Sequence, residues 1–345
     1  MSSLQAEFLT DGGQDASTIT AELVAFIDAA NRTIDAAIYD FHARDGKTER
    51  IADALEAAQR RGVTVRVVFN VDRPRFASSP RPMQADPAVI DGLDVPTHGM
   101  ADQDGLMHHK YVVRDGEGVW TGSTNWTADS FSREENVVLR LEDAVIAGAY
   151  ARNFEQLWTH RRIDSTGGVG ERVTMHGGAV VQPYFSPKGR SLAHLIAERL
   201  GEASRRIRVV SPVVTSGAIL GTLAEFAGRS SFDFAGAYDA TQMDEVKAAW
   251  RSVPANQWKI EAWNSIAPRL SGKRSTPYAE GSVHDYMHAK VIVADDEVLA
   301  GSYNCSRHGE ENAENVLHIV SEPTALRCAA FADSVAARYG SEVPV

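Results

Sequence analysis

A histidine and a lysine one residue apart occur twice in this chain, as His108 and Lys110 in MHHKYVVRD and as His288 and Lys290 in MHAKVIVAD. Gly-Ser-x-Asn follows each time, bringing Ser123 and Asn125 to the first copy and Ser302 and Asn304 to the second. Glu135 and Asn136 then follow Asn125 at the interval at which Glu314 and Asn315 follow Asn304. An imidazole, an ammonium, a hydroxyl and an amide set side by side are phosphate-binding groups. Lysine supplies a compact charge, asparagine a rigid donor, and both stabilise charge growing on non-bridging oxygens. Two imidazoles at one seam can divide a reaction: one, neutral, attacks phosphorus, while the other, protonated, gives its proton to the departing oxygen. Water activated by the second histidine then releases the phosphohistidine, and an alcohol in its place gives transfer. Such a pair titrates as a coupled unit. Attack needs one ring nitrogen free and the other held, and Glu135 and Glu314 are the acceptors this pattern offers.

The elements that must position these groups repeat as well. In a strand, side chains two apart share a face, so His108 and Lys110 point one way and His109 and Tyr111 the other. The second copy has Ala289 in place of His109, which reads His109 as a packing or surface residue. Turns are predicted at 115–118 and 295–297, each followed by a strand delivering the serine and asparagine, so each half predicts a β-hairpin. Asp115 and Asp295 fall in those turns, where turn chemistry alone accounts for aspartate. Upstream, Ile19, Leu23, Phe26 and Ile27 have helical spacing, followed by a strand-like segment at 33–41. A second helix carries Ile51, Leu55 and Ala58, with Gly62 placed to end it before a strand at 63–69. The second half matches, with helices at 192–200 and 218–226 and strands at 206–214 and 231–238. Helices carrying Phe154, Leu157 and Trp158, and spanning 326–339, close the two halves. Strands alternating with helices predict α/β layers. The turn-rich STGGVGE at 165–171 marks the boundary: a first unit over 1–165, a linker over 166–180 and a second unit over 181–345. Two copies of one unit predict a pseudo-twofold pairing with the repeated residues at the shared seam.

His-x-Lys, four residues, Asp, then Gly-Ser-x-Asn resembles the double HKD signature of the phospholipase D superfamily, in both halves and over most of the chain. One residue fewer separates Asp295 from Gly301 than Asp115 from Gly122, so the second turn is expected to be tighter. The resemblance implies mixed sheets flanked by helices. It also implies a metal-independent phosphodiesterase that needs no cofactor, works through a covalent phosphohistidine and completes its site within one chain. It assigns the nucleophile to His108 and the general acid and base to His288. Lys110, Lys290, Asn125 and Asn304 would hold the phosphate with Ser123 and Ser302 in support, and Asp115 and Asp295 would complete the motif.

The remaining composition bears on the substrate and the setting. A chain of 345 residues, 43% apolar and 23% charged, can bury one large core or two medium ones. Its amino-terminal residues lack the pattern of a secretory signal, and no apolar run reaches membrane-spanning length. Cys305 and Cys328 form neither a disulfide framework nor a metal-binding pair, so a cytoplasmic protein is expected. A net charge of −11 repels nucleic acid and anionic membranes alike, so affinity for either must come from a local basic patch. Arg73, Arg75 and Arg81 among prolines before the first motif, and Arg269, Lys273 and Arg274 before the second, are candidates for a positive rim. Of these, Arg73, Arg75 and Arg269 are expected to meet substrate phosphate, although a solvated surface loop explains them equally. Trp258 and Trp263 suit a membrane interface, a stacked base or a core. Two motifs fused in one chain resemble the phospholipase and phospholipid-synthase branch, whereas nucleases of the superfamily often carry one motif per chain. Against a lipid enzyme stands the lack of an amphipathic basic helix. The expectation is a phospholipase D-type hydrolase of phospholipid-like diesters. The alternatives are a metal-independent nuclease and an inactive phosphodiester-binding scaffold.

Overall fold

A computed structural model describes residues 2–41, 48–71, 92–100, 105–279 and 281–340. The first half runs β1 (Ser3–Leu9), α1 (Ala16–Asp28), β2 (Thr33–Ile38), α2 (Glu49–Arg60), β3 (Thr64–Asn70), β4 (Thr97–Met100), β5 (Lys110–Arg114), β6 (Gly118–Gly122), α3 (Ala128–Ser132), β7 (Asn136–Glu142) and α4 (Ala144–His160). The second runs β8 (Gly168–Val169), β9 (Val173–Thr174), β10 (Val180–Phe185), α5 (Leu192–Gly201), β11 (Arg206–Ser211), α6 (Gly217–Ala227), β12 (Asp233–Asp239), α7 (Ala240–Arg251), α8 (Gln257–Ile266), β13 (Leu270–Lys273), β14 (Val291–Ala294), β15 (Glu297–Gly301), β16 (Asn315–Val320) and α9 (Glu322–Gly340). Local chemistry sets the boundaries. The Asp15 carboxylate accepts the Ser17 amide to open α1. Beyond α2, Gly62 takes a φ of +91° while its amide bonds to Gln59 and that of Val63 to Ala58, the hydrogen-bond pattern of a Schellman stop.

The first sheet has the order β1-β7-β6-β5-β2-β3-β4, and the second contains β10-β16-β15-β14-β11-β12-β13, the same order built from the corresponding strands. Both are mixed: β2, β3 and β4 are parallel, as are β11, β12 and β13, and the central hairpins are antiparallel. Within 166–180, β8 and β9 pair with β10. The fold is therefore the α/β architecture of two repeated units with helix-flanked mixed sheets that the sequence implies.

The central strands are buried on both faces, which is why they read as continuous apolar runs. Helices α1 and α2 cover one face of the first sheet around Leu23, Ile27, Leu55 and Val67. Helices α5, α6 and α8 cover one face of the second around Ile196, Leu223 and Trp263. The inner faces share a single core in which Val113, Leu139 and Leu141 join Val293, Leu317 and Ile319, with Tyr150, Phe154 and Leu157 of α4 between them. Burying apolar surface from both halves in one core fixes the lobes against each other. The seam itself is tied by backbone: Met107 bridges to Ala313, and Met287 to Glu135. Each histidine thus enters the seam beside a strand of the other half.

Candidate active site

His108 and His288 sit just ahead of β5 and β14, whose regular pairing starts at or after the lysines, so they occupy the strand mouths and not the strand interiors. Likewise Ser123 and Asn125 lie beyond the end of β6, as Ser302 and Asn304 lie beyond β15. Gly122, with a φ of +137°, and Gly301 make this exit possible. A Cβ on either would stand 2.1 or 2.2 Å from a carbonyl oxygen of the neighbouring strand, Val137 or Asn315.

Each histidine is held by the other half. The His108 Nδ1 lies 2.8 Å from Glu314 Oε1 and 2.9 Å from Oε2, and its backbone amide donates to the Ala313 carbonyl at 3.0 Å. The His288 Nδ1 lies 3.2 Å from Asn136 Oδ1 and 3.3 Å from Glu134 Oε2, and its amide donates to the Glu135 carbonyl at 3.1 Å. Both rings therefore present Nε2 as the nitrogen left for chemistry.

The structure sets Glu314 against His108, whereas the Glu135 carboxylate has other partners. It accepts from Lys273 Nζ at 2.7 Å and from the Tyr339 hydroxyl at 2.5 Å, away from His288. The cause is a register shift of one residue. Gly122 pairs with Val138 and Gly301 with Val316, so Asn136 is the counterpart of Glu314 and Glu134 that of Asn312. The hydrogen bonds agree, since Ser123 Oγ donates to Asn136 as Ser302 Oγ donates to Glu314, each at 2.6 Å. One half carries Glu-x-Asn and the other Asn-x-Glu. The matching Glu-Asn dipeptides in the sequence are thus one residue out of structural register. Glu134, Asn136 and Asn312 were missed, although these interleaved triplets were there to be read.

Burial and proximity shape the titration of the set. Lys110 and Lys290 are buried and each donates from Nζ to the carbonyl of its own histidine, Lys110 at 2.8 Å. Burial pushes Lys110 down to about 7 against the pull of Glu314, Asp40 and Glu134. Lys290 is held well below its ordinary value by burial and by Lys110. Burial also raises Glu134 to about 7 and Glu314 to about 8. Both imidazoles are driven well below 6.5, by burial first and then by the two lysines, and His288 also feels His108. Charges from both motifs thus act on one another at a single locus. Tyr39, not anticipated from the sequence, packs its ring 4.5 Å from His108 and 4.6 Å from Lys110 Nζ. Asn125 and Asn304 each bury a side-chain oxygen with no partner among the described residues, leaving polar capacity at both positions.

The other predicted residues lie elsewhere in function. Asp115 and Asp295 are not in the seam. In the left-handed region at φ of 55° and 53°, they accept backbone amides of Asn31, Arg32 and Thr33, and of Ser204, Arg205 and Arg206, respectively. These amides pull both carboxyls below the usual range against burial, and their work is to tie the hairpin turn to the entry of the neighbouring strand. Ser123 and Ser302 hold Asn136 and Glu314 and the following strand amides, so they position the histidine partners in place of the expected phosphate contact. In the second basic cluster Lys273 is buried against Glu135 and Arg274 pairs with Asp244, whereas Arg269 makes only an exposed 3.5 Å contact with the Arg229 carbonyl. Arg73, Arg75 and Arg81 lie outside the described residues. His109 is a packing residue, fully buried beside Tyr111 and Phe185. Trp263 is core and Trp258 is 45% exposed.

Residues 23–158 match the family described as cardiolipin synthase, PLD-like domain. Over 138 residues, 40% of this chain, the sequence is 33% identical to a mitochondrial cardiolipin hydrolase of Xenopus laevis, covering 60% of that protein. The Homo sapiens mitochondrial cardiolipin hydrolase is 29% identical over 139 residues, with half of its length covered. The chain thus matches less than two thirds of these relatives. The crystal structure of phosphatidylserine synthase from Haemophilus influenzae superposes with a TM-score of 0.66 at 13% identity, covering 97% of this chain and 86% of that one. This last likeness extends over both halves and is one of fold.

Proposed function

We propose that this chain is a phosphodiesterase of the phospholipase D superfamily, as its matched PLD-like domain and relatives support, and that it hydrolyses phosphodiesters through a phosphohistidine formed on His108. The observation that carries the reading is the crossed support of the two imidazoles, His108 on Glu314 and His288 on Asn136 and Glu134. Support of Nδ1 leaves Nε2 of each ring for phosphorus or for a proton. The order of roles follows from the unequal partners. A carboxylate directly on Nδ1 favours the positive charge that an attacking imidazole acquires, and His108 has both oxygens of Glu314 within 2.9 Å. His288, facing an amide oxygen first, serves as the acid. In step one His108 Nε2 bonds to phosphorus as the P–O bond to the leaving group breaks, and His288 gives that oxygen its proton. In step two His288 takes a proton from water, whose oxygen displaces His108. The two lysines and the asparagines neutralise the non-bridging oxygens, and the phosphate anion in turn favours the charged lysines.

A phospholipid-like diester is the substrate we favour, supported by the curated relatives named as cardiolipin hydrolases. A nuclease reading has one observation of its own. Tyr278, His284 and Tyr286 stand in sequence before His288 with ring centroids 5.6 and 5.3 Å apart, and His284 is close enough to depress His288. Such rings suit base stacking.

The test is turnover of bis(p-nitrophenyl) phosphate in excess EDTA, then of phosphatidylcholine and cardiolipin vesicles, and then of single- and double-stranded DNA and RNA. His108→Ala and His288→Ala are each expected to abolish turnover. A requirement for added metal would overturn the mechanism, cleavage of nucleic acid alone would overturn the substrate, and inactivity on everything would favour a binding scaffold.

A further inference from the structure

We propose that a second pocket, one backbone turn away from Asn304, binds a phosphate group of the substrate other than the one being cleaved. This rests on the phosphodiesterase reading above and deepens it. The pocket has a volume of about 340 Å³ and is lined by Ser216, Gly217 and Ala218 at the start of α6, by Lys259 of α8 and by Arg307. Its connection to the site is direct. The amides of Thr215 and Ser216 donate to the Cys305 carbonyl at 2.7 and 3.0 Å, and Cys305 follows Asn304.

Three observations identify the ligand as a tetrahedral anion. First, α6 spans eleven residues and its N-cap Ser216 makes no capping hydrogen bond, so first-turn amides remain free to bind an anion along the helix dipole. Second, Ser216 is only 4% exposed, and among the described residues its hydroxyl has no partner. Ser216 lines the pocket, so its hydroxyl is available to donate to a ligand bound there. Third, Lys259 and Arg307 have no carboxylate partner among the described residues, whereas Arg66, Arg140 and Arg208 each bind two. Two carboxylates do line the pocket, but both are engaged elsewhere. Glu310 accepts the Ala193 amide at 2.8 Å to cap α5, and Glu311 pairs with His308 at 3.2 Å. Helix amides, a hydroxyl, an ammonium and a guanidinium on different walls match an oxyanion with several acceptors.

Trp258 supplies a reporter, because its ring lies 3.4 Å from where a Cβ on Gly217 would stand. Inorganic phosphate is expected to give a saturable fluorescence change in wild type that is absent from Trp258→Phe and from the double variant Lys259→Ala/Arg307→Ala. The substrate arm compares p-nitrophenyl phosphoglycerol with and without a phosphate on the far hydroxyl. In wild type the phosphorylated substrate is expected to have a KM about tenfold lower, since one hydrogen bond to a charged group is worth that much. In the double variant the ratio should fall towards one. An equal ratio in both proteins would sink the proposal. A Trp258 response combined with a ratio of one in wild type would overturn the substrate assignment and leave a site for free phosphate. If wild type turns over neither substrate, the hydrolase reading fails instead, and a missing phosphate response still overturns the pocket.

Discussion

Glu314→Gln separates the chemical role of the Glu314 charge from its place in the packing. The side chain is fully buried and accepts from His108 Nδ1, from Ser302 Oγ at 2.6 Å and from Asn312 Nδ2 at 3.3 Å. Glutamine keeps the shape and one acceptor, but its NH2 must face a group that also donates. A hydrogen bond to a charged partner is worth about 1.5–3 kcal/mol, so loss of a group able to ionise as the imidazolium forms should lower kcat by about 10- to 100-fold. Stability should move the other way. Burial holds the Glu314 carboxyl at about 8 against an ordinary 4.5, so between those values the folded chain binds more protons than the unfolded one. Its contribution is complete below pH 4.5 and is lost as pH rises through about 8. Glutamine does not titrate, and the Tm of the variant relative to wild type should climb between pH 5 and pH 8. The assays are bis(p-nitrophenyl) phosphate turnover in EDTA and thermal melts at the two pH values. Wild-type kcat in a well-folded Glu314→Gln protein would refute the assignment of Glu314 as the support of the nucleophile.

Glu135→Gln should behave in the opposite sense: it breaks the buried contact with Lys273, costing on the order of 3 kcal/mol in a denaturant titration, while turnover per folded molecule falls far less than in Glu314→Gln. His109→Ala should retain kcat yet melt earlier by roughly 2–3 kcal/mol, because the ring is fully buried among Tyr111, Phe185 and Asn315. The profile of kcat/KM against pH should have its acid limb below 6.5, since the depressed His108 must shed its proton to attack and does so at lower pH than free imidazole. Its alkaline limb should fall near 7, where Lys110 loses its charge. An alkaline limb above pH 9 would contradict the burial argument.

The fold was legible because it is written twice. Ile19, Leu23 and Ile27, and later Leu192, Leu195 and Ile196, mark helix faces by period, and the strands between them are apolar throughout because helices and the shared core cover both sides. Element ends were harder to read. The histidines precede their strands and the asparagines follow theirs, and neither shift changes the alternation from which the strands were read. The basic residues before the second motif misled for a different reason. Composition shows that Lys273 and Arg274 are cationic, but only the fold shows that Glu135 and Asp244 have already taken them.

The site itself was legible in its invariants and not in its asymmetry. His, Lys, Ser and Asn recur at near-identical spacing because each unit uses the same hairpin, and the glycine before each serine recurs because a Cβ would strike the adjacent strand. The histidine partners obey a different rule. At each Nδ1 the seam needs one acceptor and a neighbour to hold it, and either an amide or a carboxylate can fill each place. The two halves hold them in exchanged places: Asn136 stands before His288 with Glu134 behind it, while Glu314 stands before His108 with Asn312 behind it. Identity matching aligns Glu with Glu and so steps over the exchange by one residue. That exchange gives otherwise equivalent imidazoles unequal partners, and unequal partners are what a reaction needs when one ring must carry phosphorus and the other a proton.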